Sequence, residues 1–461
     1  MRLARQALGG GEGAWIVGGA IRDAVLEREV TDLDLAFAGD PAVAARAIAR
    51  AGGGHSFELS AEFGSWRAVA RDRSWQVDVT ALRGETIEAD LAARDFTIGA
   101  VAVPLGGGEH LDPYGGLADL ENGVLRAIGP GSFAADPLRL LRAARLAAEL
   151  DLAVDPGTVA LGRSEASRAA EPAGERQLAE LGLLVGGPDP LRGLALLDEL
   201  GLTPVVLPEL EALRGVGQGA NHHLDVHGHT LAVLGRTLEI ETDLGRFAGE
   251  RAGEAAALLA EPLADRMTRG AALRFGALLH DVGKPATRSE RGGYVTFIGH
   301  DGDGAQIVGG LCARLRASRR LTNHLRALTL HHLRLGFLVH EVPLPARRIH
   351  EYLRATEPVS ADVTLLTVAD RLSARGSGPL ASPQAIEAHL DLAREMLAAA
   401  LDWRRDGPPA PLLRGDELAG ALGIGEGPEL GELLAELEAA QYAGEVRTRA
   451  AAVELARRLR R

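Results

Sequence analysis

Three groups of residues have the types and spacing to do chemistry. The first is Val17-Gly18-Gly19-Ala20-Ile21-Arg22-Asp23, followed by Thr31-Asp32-Leu33-Asp34. Two glycines between a strand and a helix let backbone N–H groups approach a phosphate at the helix N-terminus, and Arg22, one turn in, adds a fork-shaped charge. Asp32 and Asp34 stand one residue apart on a strand, so both side chains emerge on the same face. Carboxylates so placed can hold a pair of Mg²⁺ ions, one lowering the pKa of an attacking hydroxyl and one bracing a leaving pyrophosphate. That is nucleotidyl transfer. Either half alone also fits a Gly-Gly turn or two surface acids; together at this spacing they favour the reactive site. Asp78, in WQVDVT, is a third carboxylate: it completes the metal site, polarises the hydroxyl, or is an exposed strand acid.

The second group is His280-Asp281, at the end of the apolar run LRFGALLHDVGK, with NHHLDVHGHT before it and Asp370 in LLTVADRL after it. A consecutive His-Asp pair makes a metal site only if other helices bring further ligands. His229 at the start of an apolar helix, His300 in FIGHDGDGA, and the pair His331-His332 are available. The third group is Asp136, Arg139 and Arg142. At three-residue spacing from a helix start they share a face, and an aspartate beside an arginine offers acceptors and donors that match a base edge. An ordinary salt bridge at a helix N-terminus has the same spacing.

The elements that must position these groups change character along the chain. Residues 14–19 (AWIVGG) read as a buried strand entering a turn, with a helix over 20–28. Residues 33–37, 66–71 and 75–80 are strand-like, and 96–103 (FTIGAVAV) reads as a further buried strand before the Gly/Pro-rich 104–116. From Asp136 onward, apolar residues recur at three- and four-residue spacing with almost no strand signal, so the remainder reads as helical. Breaks are expected at 170–174, 214–220, 374–384 and 406–412. The fold class is therefore α+β, with a small mixed-sheet head followed by helical parts. The expected domains are 1–130, 131–213, 220–375 and 405–461.

Composition agrees with a folded, multi-domain protein: 461 residues, 46% hydrophobic and 25% charged, a length suited to about three domains. A single cysteine, Cys312, excludes an internal disulfide framework and fits a reducing compartment. No segment has the roughly 18–20 apolar residues of a membrane helix, and no secretory signal is evident, so the expected location is cytoplasmic. The net charge of −13 argues against nucleic acid on its face, but charge is not evenly spread. Residues 313–349 hold eight arginines and one glutamate, and the last nineteen residues six arginines and two glutamates. Lys284 is the only lysine, so phosphate contact falls to arginine. Aromatics are only 4%, which disfavours base stacking and favours recognition of duplex RNA by its backbone.

GGAIRD with its downstream DLDL, then RDFTI at 94–98, DPYGGLADLENGVLRAIGP at 112–130, DPLRLLRAAR at 136–145 and LLDELGLTPVVLPEL at 196–210, resembles the bacterial-type (class II) tRNA nucleotidyltransferase and poly(A) polymerase family. The resemblance implies that Asp32 and Asp34 are the metal ligands, with Asp78 beside them. It implies that Gly18, Gly19 and Arg22 handle the triphosphate and that Arg94 and Asp95 hold the ribose. Asp136 and Arg139 would sit where the family reads the incoming base without a nucleic-acid template, with Arg142 a further nucleotide-binding candidate. HDVGK and its flanks resemble the HD metal phosphohydrolases, which implies His229, His280, Asp281 and Asp370 as core ligands of a transition metal such as Mn, Ni, Co or Fe. His300 and one of His331 or His332 would hold a second. The resemblance implies either a domain that hydrolyses phosphoesters at RNA ends or a retained scaffold. The implied partners are the tRNA 3′ end, CTP and ATP.

The chain departs from the family pattern at Ala93, Gly99 and Ala135, where arginine, asparagine and glutamate are usual. It departs again between Leu82-Arg83 and Asp90-Leu91, where only six residues intervene in place of a longer loop associated with the switch from CTP to ATP. The short loop resembles members that add the two cytidines and leave the adenosine to a partner enzyme. The alternatives are a poly(A) polymerase, a protein-uridylylating signalling enzyme with an HD domain, and an RNA-binding protein weakened by the three lost side chains.

Overall fold

The computed structural model describes residues 1–30, 32–60 and 64–460, which divide into two compact units, Met1–Val206 and Leu207–Arg461. Thr31, within the first motif, and Arg461 lie outside the described residues.

The first unit opens with a six-stranded mixed sheet. Its strands are β1 (Ala14–Val17), β2 (Leu33–Phe37), β3 (His55–Ser60), β4 (Ser65–Val69), β5 (Gln76–Ala81) and β6 (Ala102–Pro104), in the order β3-β4-β5-β2-β1-β6. Only β2 and β5 pair in parallel, and their register sets Asp34 opposite Asp78. Alternation along β2 sends Leu33 and Leu35 to a core with Val77, Val79 and Ile48, while Ala36 joins Ile87, Leu91 and Ala102 on the other face. Asp34 shares that second face. The helix Pro41–Ala51, capped by Asp40 and started by Pro41, buries Ala44, Ala45, Ile48 and Ala49 in the first core.

Two sequence expectations fail here for stated reasons. Residues 96–103 are not one strand: Phe96 makes a single bridge to Ala127, Thr97–Gly99 is a 3₁₀ turn, and pairing begins only at Ala102. Thr97 is drawn out of line by its own bonds, its N–H to the Arg126 carbonyl and its hydroxyl to Asp119. Strand β3 was not anticipated, because HSFELS lies on the sheet edge, mostly exposed, and so lacks a buried apolar face.

The rest of the first unit is helical, with Leu138–Leu150 and Gly174–Gly186 joined by the buried pair Arg145–Glu180 at 2.6 Å. The second unit is built almost wholly of helices. Those that matter for chemistry are Val226–Thr242, Arg269–Leu279, His300–Arg314, Arg319–His331 and Ser360–Ser373. Three further helices, Gly415–Leu422, Pro428–Tyr442 and Arg449–Leu459, close their own small core around Leu418, Leu433 and Leu437. No helix among the described residues is long and apolar enough to cross a membrane.

Candidate active site and metal centre

In the first unit the Gly-Gly turn and the acids meet. Gly18 has φ +69°, in the left-handed region, and the Gly19–Val25 helix starts directly after it. A Cβ at Gly18 would lie 3.3 Å from an Arg94 nitrogen and 3.5 Å from Asp34 Oδ2, so backbone, guanidinium and carboxylate crowd one spot. Gly18→Ala is expected to cost about 1–2 kcal/mol of stability and to raise KM for the nucleotide, measured by thermal melting and steady-state kinetics.

The Asp34 carboxyl is pushed above its usual range, first by burial and then by the charges of Asp78 and Asp32, against the pull of Arg94. Asp78 is held by both oxygens: Arg67 grips it from the neighbouring strand at 2.7 Å through Nε and through Nη2. Asp32 stands just before β2, exposed, and accepts from the Gln76 side-chain amide. The three carboxylates thus line one end of the β2–β5 pair, with only Asp78 fully matched by a cation. A desolvated acid beside two others is a site that a divalent cation fits. Arg22 turns to its neighbour Asp23, Nε to Oδ1 at 2.9 Å.

Beyond the turn, Arg94 is clamped by buried Asp90 through Nε and Nη2 at 3.0 and 2.8 Å. Asp90 also accepts the Arg83 N–H at 3.1 Å, which fastens the short loop between β5 and the Ile87–Ala92 helix. Burial alone would raise the Asp95 carboxyl; Arg142, the Phe96 N–H and Arg139 outweigh it and hold it below its usual range. Arg142 Nη2 lies 2.8 Å from Asp95.

The expected shared face of Asp136 and Arg139 is not formed. The helix starts at Leu138, so Asp136 is extended (φ −150°) and accepts the Leu138 N–H, while Arg139 is buried. Its Nη1 donates to the Arg94 and Ser132 carbonyls at 3.0 and 3.2 Å, and its Nη2 to the Ala93 carbonyl at 2.6 Å. Asp136 pairs instead with Arg176, at 2.9 Å. Sequence reasoning missed Arg176, Arg67 and Asp90. Only Arg67, alternating with the buried positions of WRAVAR, left a signal.

In the second unit the histidines converge. Three of them stand at helix ends: His280 and His332 cap the C-termini of Arg269–Leu279 and Arg319–His331, and His300 begins His300–Arg314. Each ring pairs Nδ1 with the carbonyl three residues back: Ala277 at 2.8 Å, Thr329 at 2.6 Å and Phe297 at 2.7 Å. With Nδ1–H donating to a backbone carbonyl, at a helix C-terminus for His280 and His332 and in the preceding loop for His300, Nε2 is left as the lone pair in all three. Those Nε2 atoms face Asp281, at 3.1 Å from His280, 3.3 Å from His300 and 3.7 Å from His332. His229 Nε2 lies 3.0 Å from Asp370 and 3.7 Å from Asp281. Ligand atoms of His229, His280 and Asp281 fall within 4.8 Å of one another, and so do those of Asp281, His300 and His332. Asp281 belongs to both triads.

The fit to metal is carried by buried ligand atoms turned toward one another: His229 Nε2, His280 Nε2 and Asp281 Oδ2 are buried and make no hydrogen bond of good geometry, although ion-pair distances to Asp370, Asp281 and Lys284 are short. Burial pushes His332 down to about 4, so its ring is neutral and able to ligate at pH 7. Asp370, whose side chain is 25% exposed against 2% or less for Asp281, His229 and His280, marks the side open to solvent. Of the expected alternatives for the second triad, His332 points in; His331 accepts from Arg334 at 3.0 Å. Lys284 lies 2.7 Å from Asp281 and from Gln218. Gly283 permits this turn, since a Cβ there would meet the His300 carbonyl at 2.1 Å. His222, unforeseen, stacks edge-on against His229 at 4.5 Å.

Two family models match the two parts of the chain that hold most of these residues. The poly(A) polymerase head-domain family matches residues 14–126 and the HD-domain family matches 226–375. An A-adding tRNA nucleotidyltransferase of Deinococcus radiodurans is 36% identical over 95% of this chain and 93% of its own length. A CC-adding tRNA nucleotidyltransferase of Thermus thermophilus is 34% identical over 95% and 91%. A CCA-adding enzyme solved with ATP shares the fold over 100% of this chain and 95% of its own (TM-score 0.66, 19% identity). The tRNA-bound CCA-adding enzyme of Thermotoga maritima does so over 100% and 95% (TM-score 0.60, 20% identity). With a Gly-Gly turn set on buried Asp34 in its head and an HD pair shared by two histidine triads in its helical part, the chain belongs to the tRNA nucleotidyltransferase and poly(A) polymerase family.

Proposed function

We propose that the chain adds nucleotides to the 3′ end of tRNA, with CTP as a substrate, and that its HD centre hydrolyses phosphoesters at RNA ends. The observation that carries the first part is Asp34, desolvated beside Asp32 and Asp78 at the foot of the Gly18-Gly19 turn. In the reaction the terminal hydroxyl oxygen of the RNA bonds to the α-phosphorus, the bond to the β-phosphate oxygen breaks, and pyrophosphate leaves. Asp32 and Asp34 would hold Mg²⁺, which supplies acidity to the hydroxyl and charge to the leaving group. Asp78, fixed by Arg67, stands opposite Asp34 at that end of the pair. The turn's N–H groups and Arg22 receive the triphosphate, Arg94 sits beside the turn on its Asp90 clamp, and Asp95 is presented toward the ribose by Arg142. Arg139 holds the Ala93–Arg94 backbone that carries them.

In the HD centre His229, His280, Asp281 and Asp370 would hold one transition-metal ion and Asp281, His300 and His332 a second. The substrate reaches them from the Asp370 side.

The loop between β5 and the Ile87–Ala92 helix, five residues tied down through Asp90, supports addition of the two cytidines alone, with the adenosine left to a separate enzyme. The test is extension of tRNA lacking its 3′ end, or ending in C or CC, with CTP, ATP or both, resolved by single nucleotides. The expected product ends in CC whether or not ATP is present. A product ending in A overturns the CC-only reading. Addition of A alone, and only to tRNA ending in CC, selects the A-adding activity, and a long A ladder selects a poly(A) polymerase.

A further inference from the structure

The HD centre is flanked by a short hairpin that its metal ligands do not use. Strands Ser289–Arg291 and Tyr294–Thr296 pair antiparallel, with Arg291 opposite Tyr294 and Ser289 opposite Thr296. Gly292 and Gly293 make the turn, both in the left-handed region at φ +57° and +80°. The base of the hairpin is fixed at the second triad. Phe297, next in the chain, accepts from His300 Nδ1 at 2.7 Å through its carbonyl, and its ring lies under Lys284 Nζ, 5.4 Å from the centroid. Tyr294 precedes Phe297 by three residues, so the tip stands about 10 Å from that anchor.

Two features of the tip point to a ligand. Tyr294 is 76% exposed, whereas Tyr352 is buried and Tyr114 and Tyr442 are half-buried. A ring held in water at the end of a two-stranded hairpin adds nothing to a core. Glu290, on the other face of the hairpin, pairs with Arg288 at 3.0 Å, while Arg291 is exposed and has no acidic partner among the described residues. Directly opposed residues on one face of an antiparallel pair bring their Cβ atoms to about 5 Å. A free guanidinium and an uncovered ring are therefore presented together, one suited to phosphate and the other to the face of a base.

We infer that Tyr294 and Arg291 bind the end of a single-stranded RNA and present its terminal phosphoester to the HD centre, a base stacking on the tyrosine ring and a backbone phosphate meeting the guanidinium. This rests on the phosphohydrolase reading above. The hairpin makes the centre selective for phosphoesters that carry a base over those that do not. It does not choose among bases, since every base offers a π-face. The low aromatic content of the chain does not oppose this, because one ring serves one base.

The experiment uses the metal-loaded full chain and two substrates: an RNA pentanucleotide ending in a 2′,3′-cyclic phosphate, and glycerol 1,2-cyclic phosphate, which has no base. Tyr294→Ala is expected to raise KM for the RNA about ten- to hundred-fold, with kcat, melting temperature and KM for the glycerol ester within about two-fold of the parent. Tyr294→Phe, which keeps the ring, stays near the parent. Arg291→Ala raises KM for the RNA about three-fold and flattens its dependence on salt. Ultraviolet crosslinking of the same RNA to the metal-free protein, mapped by mass spectrometry, is expected to mark Tyr294. An unchanged KM in Tyr294→Ala, or equal rises for both substrates, overturns the assignment. So does a loss confined to nucleotide addition on tRNA, which would give the hairpin to the other reaction. A parent that hydrolyses neither ester removes the phosphohydrolase reading. The crosslink then decides the hairpin by itself: an adduct on Tyr294 keeps RNA binding there, and its absence removes it.

Discussion

Asp34→Asn is expected to lower nucleotide addition about a thousand-fold while the protein stays folded. The carboxyl is raised by burial and by its neighbours Asp78 and Asp32, so in the free protein its negative charge is a cost. Replacing it with a neutral isostere removes that repulsion, and the melting temperature is expected to hold or rise slightly. Catalysis responds in the opposite direction. A divalent ion that stabilises charge on both sides of the reacting phosphorus is worth several kcal/mol. Loss of this desolvated ligand should therefore lower kcat by about a thousand-fold, or roughly 4 kcal/mol. Asp78→Asn is the contrast. It leaves Arg67 with a weaker partner but removes no charge that lacks one, so a smaller loss is expected, together with a modest loss of stability. Single-turnover extension of tRNA, with melting curves on the same samples, measures both. Asp34→Asn retaining a tenth of parental turnover would sink the assignment.

Opposite responses of stability and activity also explain why this site was legible in the sequence. The Gly18-Gly19 turn and the Asp32–Asp34 spacing are local features, set within one strand–turn–helix unit, and period-two alternation correctly put Asp34 on the face away from the Leu33–Leu35 core. Parallel pairing of β2 with β5 then delivered Asp78, whose place depends on register that spacing does not reveal. The Asp136–Arg139 expectation failed because three-residue spacing shares a face only inside a helix, and this helix begins two residues after Asp136. Arg176, the partner that Asp136 does find, is forty positions away.

Charge reading along the chain met the same limit. The arginine-rich stretch 313–349 looked like a phosphate-facing surface, yet several of its members are matched by acids, most of them from outside the stretch. Arg314 pairs with Glu209, Arg347 with Glu436 and Glu445, and Arg348 with Glu341 and Glu351. The last two arginines are on the Ala346–Thr356 helix, and the acids that Arg347 meets belong to the C-terminal segment, where His350 and Arg354 also contact Glu438. A cluster in sequence is thus partly neutral in space, and part of its basic charge holds the C-terminal helices in place.

The HD centre yields the other large effect, because one residue serves two triads. Asp281→Asn is expected to remove all bound metal, His332→Ala half of it, and the parent to carry two ions per chain, counted by elemental analysis after dialysis against dilute metal. Asp281 is the shared member of the His229–His280 and His300–His332 groups. Its carboxyl is held well below the usual range despite burial, by His280 and Lys284. The amide offers one weak oxygen where two charged ones stood, and the imidazoles of His229, His280, His300 and His332 without that carboxylate cannot hold two divalent ions with comparable affinity. The apoprotein also suffers, since Lys284 keeps only Gln218 and the face of Phe297. Breaking a buried pair on one side costs about 3–5 kcal/mol. Hydrolysis of a 2′,3′-cyclic phosphate should fall below detection in Asp281→Asn, while addition of nucleotides to tRNA, whose residues lie in the first unit, stays within two-fold of the parent. One ion per chain in the parent, unaffected by His332→Ala, would leave a mononuclear centre and reassign His300 and His332 to packing. Full metal retention by Asp281→Asn would remove the centre from Asp281 altogether.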